Sequence, residues 1–147
     1  MQKDRKIVCP HCSSVNRLVA DKPASEARCG RCGQAMFDAH PADADAAAFE
    51  KHMDRNEIPV LVDVWAPWCG PCRMMAPAFA EAAGVLEPDV RLIKLNSENE
   101  PEVASRLGIR GIPTMLLYRG GREIARVSGA MSARQIVDWT RAQLGSA

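Results

Sequence analysis

The chain has 147 residues, 47% of them apolar and 25% charged, with a formal net charge of +1. That balance is typical of a folded globular protein and excludes wholesale disorder. It supplies no net field to draw the molecule onto nucleic acid or an acidic membrane, and no apolar run approaches the ~18–20 residues of a membrane span. The first ten residues carry bases but no apolar stretch, so no secretory signal is expected. Six cysteines fall in three Cys-x-x-Cys pairs: Cys9/Cys12, Cys29/Cys32 and Cys69/Cys72. Without a signal, thiols so paired point to an intracellular, cytoplasmic chain that uses them as metal ligands or redox pairs.

Taken in order, residues 1–36 hold two of the pairs, many bases and few large apolar side chains. A piece below ~40 residues needs a metal or a disulfide to fold, so 1–36 is expected to form a small metal module and 37–147 a second domain. Residues 38–48 read as a linker entering a helix, with Asp43 or Asp45 as its cap. Val60 to Trp65 lie in a continuous apolar run, a strand buried on both faces. Gly70 to Leu86 is a helix with Pro77 inside it as an expected kink. Val90 to Leu95 is a strand and Glu100 to Leu107 a short helix. Thr114 to Arg119 and Glu123 to Ser128 are strands joined by Gly120-Gly121, a hairpin signal. Ser132 caps a last helix carrying Ile136, Val137, Trp139 and Leu144. This order implies an α/β fold, a mixed sheet with helices on both faces.

The pairs Cys9-Pro10-His11-Cys12 and Cys29-Gly30-Arg31-Cys32-Gly33 are sixteen residues apart and match a zinc-ribbon spacing. Two intervening residues let a tight turn bring both sulfurs to one ion. Zinc (Zn2+) on Cys9, Cys12, Cys29 and Cys32 is the expected occupant, with an iron centre or two disulfides as the remaining chemistries. Four thiolates on zinc leave a net charge of −2, which Lys3, Arg5, Lys6, Arg17, Lys22, Arg28 and Arg31 can offset. Four sulfurs complete a tetrahedron, so His11 is expected to face solvent. No aromatic residue precedes Phe37, so the module lacks a base-stacking platform and nucleic acid is not an expected partner.

Trp68-Cys69-Gly70-Pro71-Cys72 follows a buried strand and opens a helix. A thiol at a helix N-terminus meets unpaired N–H donors and partial positive charge, which favour the thiolate. Cys69 is therefore expected to be the exposed nucleophile and Cys72, one turn further in, the shielded resolving thiol. Pro71 suits the first helical turn, where its missing N–H costs nothing. Asp63, alone in an apolar strand, is costly there unless protonated or used.

The run Val62-Asp63-Val64-Trp65-Ala66-Pro67-Trp68-Cys69-Gly70-Pro71-Cys72, with Gly108-Ile109-Arg110-Gly111-Ile112-Pro113-Thr114, resembles the thioredoxin family. The likeness covers roughly residues 38–147, and with the four-cysteine module ahead the chain is similar to the zinc-containing bacterial branch. It implies the thioredoxin fold behind a small N-terminal zinc ribbon. It also implies a protein disulfide reductase working by dithiol–disulfide exchange at Cys69/Cys72. Pro113 matches the family's cis-proline, Asp63 its buried acid, and Lys94 the lysine near that acid. Trp65, Trp68, Gly70, Pro71, Gly111, Ile112, Gly129 and Ala130 match the dithiol rim and the flat apolar surface where partner proteins dock. Pro67 departs from the family's commoner acidic or other residue and is expected to shift the dithiol's potential slightly. Met74, Met75 and Trp139 read as core or groove packing and not as chemistry. The likeness further implies reset by a flavin-containing thioredoxin reductase using NADPH. No G-x-G-x-x-G occurs, so flavin and nicotinamide belong to that partner. A zinc-regulated binding protein, whose module unfolds when its thiolates oxidise, is the competing class of function.

Overall fold

The computed structural model describes residues 4–146, with the side chain of Ser146 left aside. Lys3, among the bases expected near the first knuckle, lies outside the described residues.

The sheet that carries the dithiol has five strands in the order β3-β5-β4-β6-β7. They are β3 (Ala42–Ala44), β4 (Val60–Trp65), β5 (Arg91–Asn96), β6 (Thr114–Arg119) and β7 (Arg122–Ser128). β3 and β4 run parallel to β5, β6 runs antiparallel to β4, and β7 antiparallel to β6. β4 is central and almost wholly buried, as its unbroken apolar run requires. Its alternation sorts the core. Leu61, with Leu92, Met115 and Leu117, faces helices α2 (Gly70–Leu86) and α4 (Ala133–Ser146), which bring Met75, Phe79, Ile136 and Val137. Val60, Val62 and Val64, with Ile93 and Leu95, face α1 (Ala46–Arg55) and α3 (Pro101–Arg106), which bring Phe49 and Val103. Residues 61, 63 and 65 thus share the α2 face, because side chains alternate along a strand.

Local chemistry sets the element ends. Asp45, not Asp43, caps α1, its carboxylate accepting from the Ala48 N–H at 2.8 Å. Asp43 is instead inside β3, a strand that the Ala- and Asp-rich composition of 38–48 hid. Ser132 and Gln135 form a reciprocal capping box at α4, with bonds of 3.1 and 2.9 Å. Gly120 and Gly121 both have positive φ, +59° and +77°, as a two-residue hairpin turn demands. α2 continues through Pro77, on its exposed face, where the carbonyl one turn back can turn to water.

Ahead of this unit, β1 (Arg5–Val8) and β2 (Val15–Leu18) form an antiparallel pair around the first knuckle. Both knuckles share one construction. The first cysteine's N–H donates to the residue five places on, Ser14 O at 2.8 Å or Gln34 O at 2.9 Å. The residue after the second cysteine takes positive φ, Ser13 at +64° and Gly33 at +77°. Among the described residues, no helix is long and apolar enough to cross a membrane.

Candidate active site and metal centre

Cys69 is the N-cap of α2, and its Sγ accepts from the Cys72 N–H at 3.2 Å. Cys69 and Cys72 are joined as a disulfide with Cα atoms 5.2 Å apart. The expected contrast in exposure is corrected: in the oxidised pair Cys69 is 5% and Cys72 1% exposed. What separates them is position. Cys69 is the N-cap, with Sγ 3.8 Å from the Ile112 carbonyl, whereas Cys72 lies inside the first turn of α2; both cysteines pack with Ala66.

The segments expected around the dithiol are brought to one end of the sheet. Trp68 is 67% exposed, and Gly70 and Pro71 are also on the surface. The Ile112–Pro113 bond is cis, as expected; a second cis bond, Glu87–Pro88, has no counterpart among the sequence expectations. Pro113 O accepts from the Gly129 N–H at 2.9 Å, and Thr114 Oγ1 donates to Gly111 O at 2.6 Å. These bonds pin the exposed Gly111, Gly129 and Ala130 beside the half-buried Ile112. Trp65 is half-buried against the cysteines. For Met74 the core alternative is corrected: it is 79% exposed, because it shares the solvent face of α2 with Arg73. Met75 and Trp139 do pack in the α2–α4 core.

Asp63 is completely buried, and neither of its carboxylate oxygens has a hydrogen-bond partner among the described residues. Burial pushes its pKa up to about 7, against a smaller downward pull from the Lys94 charge. Lys94 is its neighbour across the β4–β5 ladder, but its Nζ sits over the Trp65 ring, 4.4 Å from the centroid. Lys94 and Trp65 line a cleft of about 560 Å3 that Pro10 to Ser13, at the first knuckle, also line.

Cys9, Cys12, Cys29 and Cys32 bring their sulfurs within 4.8 Å of one another. Two of the pairs, Cys9–Cys32 and Cys12–Cys29, are 3.7 and 3.6 Å apart. A tetrahedron with zinc–sulfur bonds of about 2.3 Å has edges of about 3.8 Å, so the cluster fits that ion. The amides, not the guanidinium groups, point at sulfur: His11 N–H reaches Cys9 at 3.4 Å and Arg31 N–H reaches Cys29 at 3.3 Å. Asn16 donates to Cys29 at 3.3 Å and accepts from the Gly30 N–H at 2.8 Å, bracing one knuckle on the other. The Cys32 N–H and Asn16 draw the Cys29 thiol down to about 6. His11 is on the surface, 3.4 Å from Asp38.

The two modules are tied by contacts that the sequence did not reveal. Glu57 N–H donates to Lys6 O at 2.9 Å, and Lys6 N–H to Glu57 Oε1 at 2.7 Å. Val8 N–H donates to Asn56 Oδ1 at 3.1 Å, and Asn56 is held by buried His52 at 2.7 Å. Ile58 completes the apolar cluster of Ile7, Cys9, Leu18, Cys29 and Met36. Arg91, fully buried on β5, reaches the ribbon from the side of the large sheet. Its one available signal was a charge inside the apolar run Val90-Arg91-Leu92-Ile93, the same signal that drew attention to Asp63.

A dithiol capping a helix beside a cis-proline, carried on this sheet with a four-thiol cluster alongside, defines a redox-active disulfide protein with a metal ribbon. Residues 40–142 match the family described as Thioredoxin, and residues 8–34 the one described as Thioredoxin 2, N-terminal. Thioredoxin C-3 of Corynebacterium nephridii is 38% identical over 138 residues, 94% of each chain. A thioredoxin of Synechocystis is 47% identical over 93 residues, 63% of this chain and 86% of that one. Among solved structures, a mutant thioredoxin from Halobacterium salinarum superposes with a TM-score of 0.65 at 26% identity, covering 73% of this chain and 93% of that one. The chain belongs to the thioredoxin family, and it is a protein disulfide oxidoreductase with a zinc-ribbon module.

Proposed function

We propose that the protein reduces disulfides of partner proteins, with Cys69 as nucleophile and Cys72 as resolving thiol. The Cys69–Cys72 disulfide at the N-terminus of α2, edged by exposed Trp68, carries the reading. In the reduced protein, the Cys69 thiolate attacks one sulfur of a substrate disulfide. One substrate thiolate leaves, and a mixed disulfide forms. The Cys72 thiolate then attacks Cys69 Sγ and expels the second substrate thiolate. Two electrons pass to the substrate and the Cys69–Cys72 bond is made. The Cys72 N–H, 3.2 Å from Cys69 Sγ, supports assigning the stabilised thiolate to Cys69.

Asp63 takes the Cys72 proton. Its burial and its pKa near 7 support this role, because a base near the operating pH transfers protons efficiently. Lys94 tempers that pKa. Trp65, Trp68, Gly70, Pro71, Gly111, Ile112, Pro113, Gly129 and Ala130 form the surface on which an extended substrate segment docks. Cys9, Cys12, Cys29 and Cys32 hold one zinc per chain, which supplies the crosslink that keeps a core-poor module folded. The two modules divide at 1–36 and 37–147. A thioredoxin reductase using NADPH resets the dithiol, flavin and nicotinamide remaining with that partner, in the cytoplasm.

The test couples the protein to a thioredoxin reductase, NADPH and a disulfide-bonded protein substrate. Wild type should turn over, and Cys69→Ser should be inactive. Cys72→Ser should accumulate substrate mixed disulfides visible on non-reducing gels. Normal turnover by Cys72→Ser, with nothing trapped, refutes the two-thiol scheme.

A further inference from the structure

We propose that Arg91, a residue of the dithiol-bearing unit, is a positioning residue for the four-cysteine metal centre and slows release of its metal. The proposal rests on the zinc reading above. Arg91 Nη2 donates to two ribbon carbonyls, Met36 O at 2.7 Å and Val8 O at 3.5 Å. Val8 immediately precedes Cys9, and Met36 follows the second knuckle. One nitrogen therefore touches the roots of both halves of the metal site. The guanidinium also lies over the Phe37 ring, 4.6 Å from its centroid.

Glu87 completes the clasp. Its Oε2 is 3.4 Å from Arg91 Nη1, and its Oε1 accepts from the Ala39 N–H at 2.9 Å. The Arg91 and Glu87 side chains are 1% and 5% exposed. Residues 36–39, the exit from the second knuckle, are thus gripped by a buried ion pair that belongs to α2's C-terminal end and β5.

Each donor of a buried guanidinium that lacks a partner is costly; Arg91 Nε already has none among the described residues, so its burial rests on the bonds of Nη1 and Nη2. Two of the acceptors here, the Val8 and Met36 carbonyls, adjoin separate knuckles, which a shared metal ties together. Metal loss frees the knuckles, because a module this small has too little core to hold them. The Arg91 donors then lose their acceptors. The cost of that loss opposes metal release, and by reciprocity the bound metal stabilises the end of β5 that carries Arg91.

The experiment follows zinc transfer from the full-length, metal-loaded protein to excess chromogenic chelator. It compares wild type, Arg91→Lys and the double variant Glu87→Gln/Arg91→Met, which removes the clasp without leaving an unpaired buried carboxylate. Ile136→Val, a core change on the buried face of α4 and outside the ribbon's cluster, controls for general loss of stability. Release should be at least tenfold faster in the double variant, intermediate in Arg91→Lys, and unchanged in Ile136→Val. If the double variant does not fold, Arg91→Lys decides: a wild-type release rate overturns the proposal. Equal rates in loaded wild type and double variant overturn it while leaving the zinc reading intact. Faster release in Ile136→Val to the same degree reduces Arg91 to a general stability residue. Wild type purified without metal overturns the zinc reading and this proposal together.

Discussion

Asp63 and His52 are both buried, and burial keeps each of them neutral, but in opposite pH directions. Asp63 is pushed from 3.8 up to about 7, chiefly by desolvation. A raised native pKa means the stabilising state is the protonated one. Its contribution is complete below pH ~4 and is lost as pH rises through about 7, roughly 4 kcal/mol across the window. His52 is pushed from 6.5 down to about 3, by desolvation first and the Arg91 charge second. Its contribution is complete above pH ~6.5 and is lost as pH falls toward 3, by a similar amount. The two slopes oppose each other between pH 4 and 6.5. Asp63→Asn should stabilise the fold by about 2–4 kcal/mol at pH 8 and leave stability falling steeply in acid, as read by urea denaturation across pH. The same substitution removes the assigned proton acceptor. In rapid-mixing kinetics, resolution of the mixed disulfide should rise through pH about 7 in wild type and be slower, without that inflection, in Asp63→Asn. The first attack by Cys69 should change little. Equal resolution rates would make Asp63 purely structural.

At the scale of elements, the β6–β7 turn carries a sharp constraint. Gly121 has φ +77°, and a Cβ there would lie 2.9 Å from the Met53 carbonyl oxygen at the end of α1. Backbone conformation and close approach both demand glycine, so Gly121→Ala should cost more than the ~1 kcal/mol of left-handed strain alone. Gly120→Ala, at φ +59° with nothing within 4 Å, should cost only that strain. Thermal melts of the two variants separate the terms: equal losses would show that α1 moves aside. The α4 capping box is a milder element-scale test, with Ser132→Ala expected to cost about 1 kcal/mol.

For the whole molecule, the ribbon is part of the fold's stability and not a pendant. Removing residues 1–37 would uncover Ile58, 2% exposed in the intact chain, and with it ~2 kcal/mol of apolar burial. It would also strip Arg91 of its Val8 and Met36 acceptors. Residues 38–147 keep both redox cysteines, so the fragment should retain reductase turnover at low temperature. Its melting temperature should fall by several degrees or more, and chelation of zinc from the intact protein should lower it in the same direction. A fragment as stable as the whole chain would show that the docking contacts contribute nothing net.

Much of this molecule is legible in sequence because its signals are local. The spacing of the cysteine pairs, the apolar run of β4, the Gly-Gly turn and the Ser132 cap each encode a geometry within a few residues. The lone Asp63 was legible as a problem, an ionisable group where none belongs. Legibility ended where partners come from afar. β3 is only Ala42–Ala44, three residues of small or polar character that become a strand because β5 offers a ladder. Met74 reads as core or groove packing, and the rotation of α2 takes it out of the core. Asp43 and Asp45 are equally good caps until the strand claims one of them. Arg91 carried the same signal as Asp63, but its meaning depends on carbonyls 55 and 83 residues away. Short-range spacing by itself determined the chemistry, because ligand and dithiol geometry are set within a single turn. Only the tertiary structure decided how the metal module is held, because a buried charge takes its role from whichever distant groups the packing brings to it.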